Sequence, residues 1–324
     1  MKQPIFLLGA HKSGTSLLRS LFDGHPDLFV IPKETHLFER SGYWVDYYLR
    51  RRQPKEMSKD EIVAAFTSMI AEYNTLADAQ SDNVTVQHWD VSTFREQLAT
   101  ANASEPAALF TAVFQAIHFS LYGFPLDVHK RVVEKSVEQA EFALELDQLF
   151  PDAKFIHIVR NPYANFVSLR RYKSENGYPF LKAIIFALYN SYYHLLRNGR
   201  LLQNYTTIRY EDLVTQPENI MKQLAQFVGI RFQETLLQPT SAGQTWPGNS
   251  VYVSQLSGIS TASLDKWKEE IYDFEIRLLN KALPAYVWEK FGYPRLSTHH
   301  SWLKPMPGEG LKTYLGNRFL PYYV

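Results

Sequence analysis

The sequence predicts an α/β fold: a doubly wound parallel sheet flanked by helices, P-loop-like at its first turn, with a largely helical insertion. Three observations carry this. Short apolar runs alternate with helical patterns along the chain, the order that gives parallel strands with crossover helices. The apolar run Ile5 to Leu8 leads into the glycine loop Gly9-Ala10-His11-Lys12-Ser13-Gly14-Thr15-Ser16, and a helical pattern with Leu17, Leu18, Leu21 and Phe22 follows. A second strand, 154–160, ends in Arg160; Asn161-Pro162 then supplies a helix N-cap and a first-turn proline.

The elements follow in order. A short second strand is expected near 28–31. Residues 40–130 read as an insertion, opening near Arg50-Arg51-Arg52, a solvated cluster. Within it, Ser58 with Glu61 forms a capping box before Ile62, Phe66, Met69 and Ile70. A second helix spans 107–121 and ends at Tyr122-Gly123-Phe124-Pro125. Residues 131–134 read as a buried strand. Ser136 with Gln139 reads as another capping box, opening a helix over 137–150 that stops at Pro151. Further helices are expected over 181–197, 213–228 and 264–283, with a strand at 206–209. Residues 239–260 read as a loop rich in Ser, Gly, Thr and Asn. The aromatic tail, about 296–324, packs on the body or on a partner. One domain, 1–324, is expected to contain all of this.

Composition narrows the function. The 324 residues are 45% hydrophobic, enough for one large core. Lys and Arg total 34 against 33 Asp and Glu, a net charge of +1, so no basic field argues for nucleic acid. Cysteine is absent, which excludes disulfides, thiolate metal sites and cysteine nucleophiles. The first strand begins too early for a preceding signal peptide, and no run reaches about 18 apolar residues. The protein is therefore expected to be soluble and cytoplasmic, without a transmembrane segment. Its 20 Tyr and 21 Phe imply either an aromatic core or an aromatic-lined acceptor cleft.

The glycine loop suits an anion, because glycines admit the ligand and a helix N-terminus favours negative charge. It is not a nucleoside-triphosphate loop, which places Lys directly after the second Gly. Here Thr15 follows Gly14 and the lysine is Lys12. Arg160 and the helix bearing Ser168, Arg170, Arg171 and Lys173 make a second anion site. Two such sites suggest a ligand with phosphates at both ends.

Here the chain resembles the sulfotransferases that use 3′-phosphoadenosine 5′-phosphosulfate (PAPS). Lys12-Ser13-Gly14-Thr15-Ser16 is similar to that family's 5′-phosphosulfate loop. Arg160 and Ser168, eight residues on, match its 3′-phosphate motif. His25-Pro26-Asp27 with Lys33-Glu34-Thr35-His36-Leu37-Phe38 resembles the catalytic-glutamate stretch of the heparan-type and tyrosylprotein-type members. Glu134-Lys135-Ser136 resembles the family's lysine-bearing turn. Arg209-Tyr210-Glu211-Asp212-Leu213 and the stretch from Ser263 to Lys268 are weaker echoes. The resemblance runs from about residue 4 to 268. It departs at His11, where many members have Pro or Arg, and at Asn161, where Asp is frequent.

The resemblance implies transfer of a sulfuryl group to an acceptor hydroxyl. Lys12 and Lys135 would stabilise the charge growing on the leaving group. Ser13, Gly14, Thr15 and Ser16 would cradle the 5′-phosphate; Arg160, Ser168 and Arg170 or Arg171 would hold the 3′-phosphate. Ser263 and Lys266 would close over the donor, with Trp267 packed beneath. Glu34 is the candidate general base, His36 its neighbour or a contact for the acceptor, and His11, His118, His129 and His157 are fallback bases. Read alone, Glu34 has the alternative of a surface glutamate paired with Lys33. A sulfuryl group carries less charge than a γ-phosphoryl group and no metal-carboxylate cluster is evident, so no metal is expected. The acceptor is expected to be a glycan or glycolipid, with a peptide tyrosine or a metabolite as alternatives. A small-molecule kinase and a non-catalytic nucleotide-binding module are the competing classes.

Overall fold

The structure, a computed structural model, describes residues 2–46, 51–79, 88–103, 105–248, 258–298 and 304–319. Arg50, residues 249–257 of the loop 239–260, and Trp302, Tyr322 and Tyr323 of the tail lie outside the described residues.

Strands β1 (Lys2–Gly9), β2 (Leu28–Val30), β5 (Arg131–Glu134), β6 (Lys154–Val159) and β7 (Tyr205–Arg209) form one sheet; β3 (Tyr43–Asp46) and β4 (Arg51–Pro54) pair separately as an antiparallel hairpin. The sheet order is β2-β5-β1-β6-β7, and every pairing is parallel. The expected parallel doubly wound sheet is thus present. β1 is central: the chain leaves it for β2 and β5 on one side and returns to β6 and β7 on the other. Ligands bind at such a switch point, beyond the carboxyl ends of the strands. The register brings those ends together, with Gly9 opposite Ile158 and Phe6 opposite Glu134.

Side chains alternate across β1 as the pleat requires. Phe6 and Leu8 join the core beneath α3 (Lys59–Ala79), α4 (Val91–Thr100) and α5 (Pro106–Tyr122). Ile5 and Leu7 join the opposite core with Leu17, Leu18, Leu21 and Phe22 of α1 (Thr15–Phe22). α2 (Leu37–Arg40) precedes the β3–β4 hairpin, which the sequence did not signal within its largely helical insertion. The Ser58–Glu61 capping box forms, with the Ser58 amide donating to Glu61 Oε2 at 2.8 Å. The expected box at Ser136 does not. Its hydroxyl donates to Glu134 instead, and 137–150 divides into a 3-10 turn, Val137–Ala140, and α6 (Ala143–Leu149).

A third apolar cluster packs α7 (Pro162–Tyr172) and α8 (Lys182–Leu201) against later helices. α9 (Tyr210–Thr215) and α10 (Pro217–Val228) follow β7, divided at Pro217. The expected helix over 264–283 is a 3-10 turn, Lys266–Glu269, then α11 (Asp273–Ala282) and α12 (Ala285–Phe291). The described part of the tail, α13 (Leu311–Phe319), packs on the body: Asn317 Oδ1 accepts from the Leu181 amide at 2.9 Å, and the Arg318 guanidinium lies 3.6 Å from the Phe274 ring centroid.

Candidate active site

The loop after β1 turns on two left-handed residues, Lys12 at φ 63° and Gly14 at φ 106°. The buried Ser13 hydroxyl donates to the Ala10 carbonyl at 2.8 Å, so it closes the loop on itself. Gly14 opens α1, whose first amides point out of the helix end with Thr15 and Ser16 beside them. At its φ a Cβ on Gly14 would be strained, and it would stand 2.4 Å from the Tyr210 ring. Lys12 Nζ lies 4.5 Å from the centroid of the Tyr172 ring. Burial, and then the nearby Lys135, hold its ammonium below the usual lysine range.

The second strand end is joined to this loop. Arg160 Nη1 donates to the Lys12 carbonyl at 3.1 Å and to Ser168 Oγ at 3.2 Å, and its guanidinium lies 4.7 Å from the Tyr210 ring centroid. Arg160 is buried, and its Nε has no protein partner. A buried N–H left over from a fixed fork suits an anionic oxygen. Asn161 caps α7 through its side chain and donates its amide to Glu211 Oε1 at 2.8 Å. Asn165, which sequence reasoning missed, donates to the His11 carbonyl at 2.7 Å. It lies three residues before Ser168 on α7, and that shared face was the available signal.

The other proposed donor residues are differently engaged. Arg171 pairs with Glu270 at 2.8 Å; Arg170 pairs with buried Glu275 at 3.0 Å and donates to the Glu270 carbonyl at 2.8 Å. Arg171 thus fastens α7 to the chain before α11, and Arg170 fastens it to that chain and to α11 itself. Ser263 is buried and Lys266 exposed. Between them and α7, Trp267 stacks on Tyr163 with centroids 5.5 Å apart.

Glu34 and Lys135 meet beyond the ends of β2 and β5, where Lys135 Nζ donates to Glu34 Oε1. Burial pushes the Glu34 carboxyl up, but Lys135 outweighs it and the net direction is down. Thr35 fixes this segment: its hydroxyl donates to Glu134 at 2.7 Å, and its amide donates to Ser136 Oγ at 3.0 Å. Burial pushes the Glu134 carboxyl up to about 7. The Tyr73 hydroxyl donates to the Glu34 carbonyl at 2.5 Å.

His36, left-handed at φ 48°, directs Nε2 to within 3.8 Å of Glu34 Oε2. Its Nδ1 lies 2.5 Å from Glu138 Oε1. Burial opposes the imidazolium, yet Glu138, Glu34 and Glu39 raise the group to about 9. Glu138 had been read only as a helix residue. Glu34, His36 and Glu138 place ligand-type atoms within 4.8 Å of one another, a grouping the sequence did not disclose. Two cations, Lys135 and the His36 imidazolium, already balance its two carboxylates. Of the fallback histidines, His157 bonds Tyr205 and Ser191, His118 bonds the Phe124 carbonyl and His129 is exposed. His11 stays at the site, where burial holds its imidazole below the usual range against the pull of Glu34 and Glu138.

Central strand, glycine loop, helix N-terminus and buried arginine define an α/β protein with ionisable groups gathered at its switch point. The pattern of the sulfotransferase family matches residues 4–234, and the chain belongs to that family. It is 23% identical over 336 residues to the omega-hydroxy-beta-dihydromenaquinone-9 sulfotransferase Stf3 of Mycobacterium tuberculosis and of Mycobacterium bovis, covering 94% of this chain and 79% of each relative. Among solved structures, the sulfotransferase domain of the Synechococcus PCC 7002 olefin synthase is similar at 25% identity and TM-score 0.60, covering 91% of this chain and 97% of that domain. The sulfotransferase domain of the curacin biosynthetic pathway shares the fold at 22% identity and TM-score 0.58, covering 91% and 99%. The protein is a sulfotransferase. No helix among the described residues is long and apolar enough to cross a membrane.

Proposed function

We propose that this enzyme transfers a sulfuryl group from PAPS to a hydroxyl carried on a lipid or glycolipid. The observation that carries the reading is Arg160, which bonds both Ser168 and the Lys12 carbonyl and so joins the two anion cradles in one site. The amides at the start of α1, with Thr15 and Ser16, hold the 5′-phosphate; Arg160 and Ser168 hold the 3′-phosphate. The lipid acceptor is favoured by the relatives named for an omega-hydroxylated menaquinone. A peptide tyrosine is the second reading.

Glu34 accepts the acceptor's proton as the new O–S bond forms. The S–O bond to the 5′-phosphate breaks, and adenosine 3′,5′-bisphosphate leaves. Lys12 and Lys135 meet the negative charge that develops on the bridging oxygen. Lys135 thereby has two partners in turn. It neutralises Glu34 before the donor arrives, then moves toward the sulfuryl group and frees Glu34 to act as base.

Thermal unfolding with adenosine 3′,5′-bisphosphate, beside ATP with Mg²⁺, tests the reading. A ligand at 100 times its Kd adds about 2.7 kcal/mol. Stabilisation by the bisphosphate alone is expected. Stabilisation only by ATP with Mg²⁺ would indicate a kinase, and none by either would indicate a protein without this donor site.

A further inference from the structure

One cavity outlined by the described residues lies between α6 and the elements that join β2 to β5. Its volume is about 690 Å³, within the range of sites that hold small molecules. Phe38, Val63, Leu98, Leu109, Phe110 and Phe142 supply apolar walls, and exposed Lys59 and Glu105 stand at its edge.

Two chain segments run from the reacting groups to the wall of the cavity. Glu34 and Phe38 belong to one, Glu138 and Phe142 to the other. The segments are clamped twice. At one end His36 Nδ1 meets Glu138 at 2.5 Å; at the other the Phe38 and Phe142 rings stack with centroids 4.2 Å apart and planes 12° apart. The first clamp borders Glu34, and the second forms the cavity wall. A ligand with a hydroxyl at one end and an apolar chain behind it matches this sequence of chemistries.

We infer that the cavity between α3, α5 and α6 is the binding site for the apolar chain of the acceptor. This rests on the transfer reading above and deepens it. Size selection follows: the chain length of the acceptor, and not only its hydroxyl, sets affinity.

The test uses the full chain saturated with adenosine 3′,5′-bisphosphate and, as probes, unbranched ω-hydroxy fatty acids from 4-hydroxybutanoate to 16-hydroxyhexadecanoate. Calorimetric affinity should rise roughly threefold per added methylene until the cavity is full. Ile62 and Leu109 line the cavity and are only half-buried, so Ile62→Trp and Leu109→Trp occupy its space without displacing a close-packed side chain. Each should weaken binding of the sixteen-carbon probe at least about tenfold while leaving bisphosphate affinity unchanged. Affinity independent of chain length, or tryptophan variants that bind the long probe normally, would overturn the inference. So would variants that bind it normally but change their mass in solution, since the cavity would then be a contact between copies. Release of bisphosphate from PAPS tests the two readings separately. Long-probe binding without release keeps the cavity and sinks the transfer reading. Release with no dependence on chain length does the reverse.

Discussion

Lys135 and Glu34 form an ion pair across the carboxyl edge of the sheet, one from the end of β5 and the other from the segment after β2. Their side chains are 5% and 21% exposed. A buried pair is costly to break by removing one partner, because the other charge is left uncompensated. The same two side chains are the proposed base and one of its two cations, so the resting pair keeps Glu34 ionised and Lys135 poised.

The first prediction concerns that pair. Glu34→Gln keeps shape and removes the base, so kcat should fall by about 10²- to 10⁴-fold while adenosine 3′,5′-bisphosphate affinity stays within a few-fold. Lys135→Met removes the group that holds the Glu34 carboxyl down and leaves burial, which pushes it up. The acid limb of kcat/KM should therefore move to higher pH. A limb unchanged in Lys135→Met would show that Glu34 is not the group reported.

The second prediction concerns Arg160. Lysine keeps its charge but cannot hold Ser168, the Lys12 carbonyl and a phosphate together. Arg160→Lys should weaken adenosine 3′,5′-bisphosphate at least about tenfold, the loss expected when a bidentate charged contact goes. Adenosine 5′-phosphosulfate lacks the 3′-phosphate, so its affinity should change much less. Equal losses for both ligands would move Arg160 from the 3′-phosphate to a purely structural part.

A third concerns His36. Against burial, Glu138 foremost, with Glu34 and Glu39, raises its imidazole from 6.5 to about 9. A raised histidine stabilises the fold fully below the unfolded value of 6.5, and that contribution disappears as pH rises through about 9. Glu138→Gln accepts the same hydrogen bond without the charge. Its stability deficit should thus be largest below pH 6.5, at most about 3 kcal/mol, and should shrink toward pH 9. Following the His36 ring protons by NMR checks this directly: titration near 9 in the parent and nearer 6.5 in Glu138→Gln is expected.

What was legible in the sequence was local. The glycine loop, Lys12, and Arg160 with Ser168 lie within short spans whose spacing is fixed by one strand-to-helix turn or by helical repeat. Glu34 was singled out by the resemblance of its stretch to the family's catalytic glutamate, since read alone it could be a surface glutamate paired with Lys33. Its partner could not be singled out, because the contact with Lys135 depends on β2 lying beside β5, and 101 positions separate the two residues. Glu138 was passed over for a similar reason, since only folding brings it 2.5 Å from His36. Arg170 and Arg171 have partners that the sequence did not signal. Their position beside Ser168 suggested phosphate, but Glu270 and Glu275, about a hundred residues on, engage them. Ser136 read as a helix cap because its side chain can accept from a local amide. It accepts from Thr35 and His36 instead, across the sheet edge.

The last prediction concerns Gly14, where loop conformation and Arg160 are coupled. At φ 106° an L-residue is strained, and a Cβ there would stand 2.4 Å from Tyr210 Cδ2. The Tyr210 ring in turn lies 4.7 Å from the Arg160 guanidinium. Gly14→Ala therefore acts twice: it strains the loop, at a cost of roughly 1–3 kcal/mol, and it displaces the ring that backs Arg160. Bisphosphate affinity should drop along with stability. The double variant Gly14→Ala with Tyr210→Leu separates the two effects, because it removes the ring atoms that clash but leaves the backbone strained. Part of the stability should return in it, while bisphosphate affinity stays low because the ring that backs Arg160 is missing. If the double variant is no more stable than Gly14→Ala alone, the backbone and not Tyr210 dictates glycine at this position.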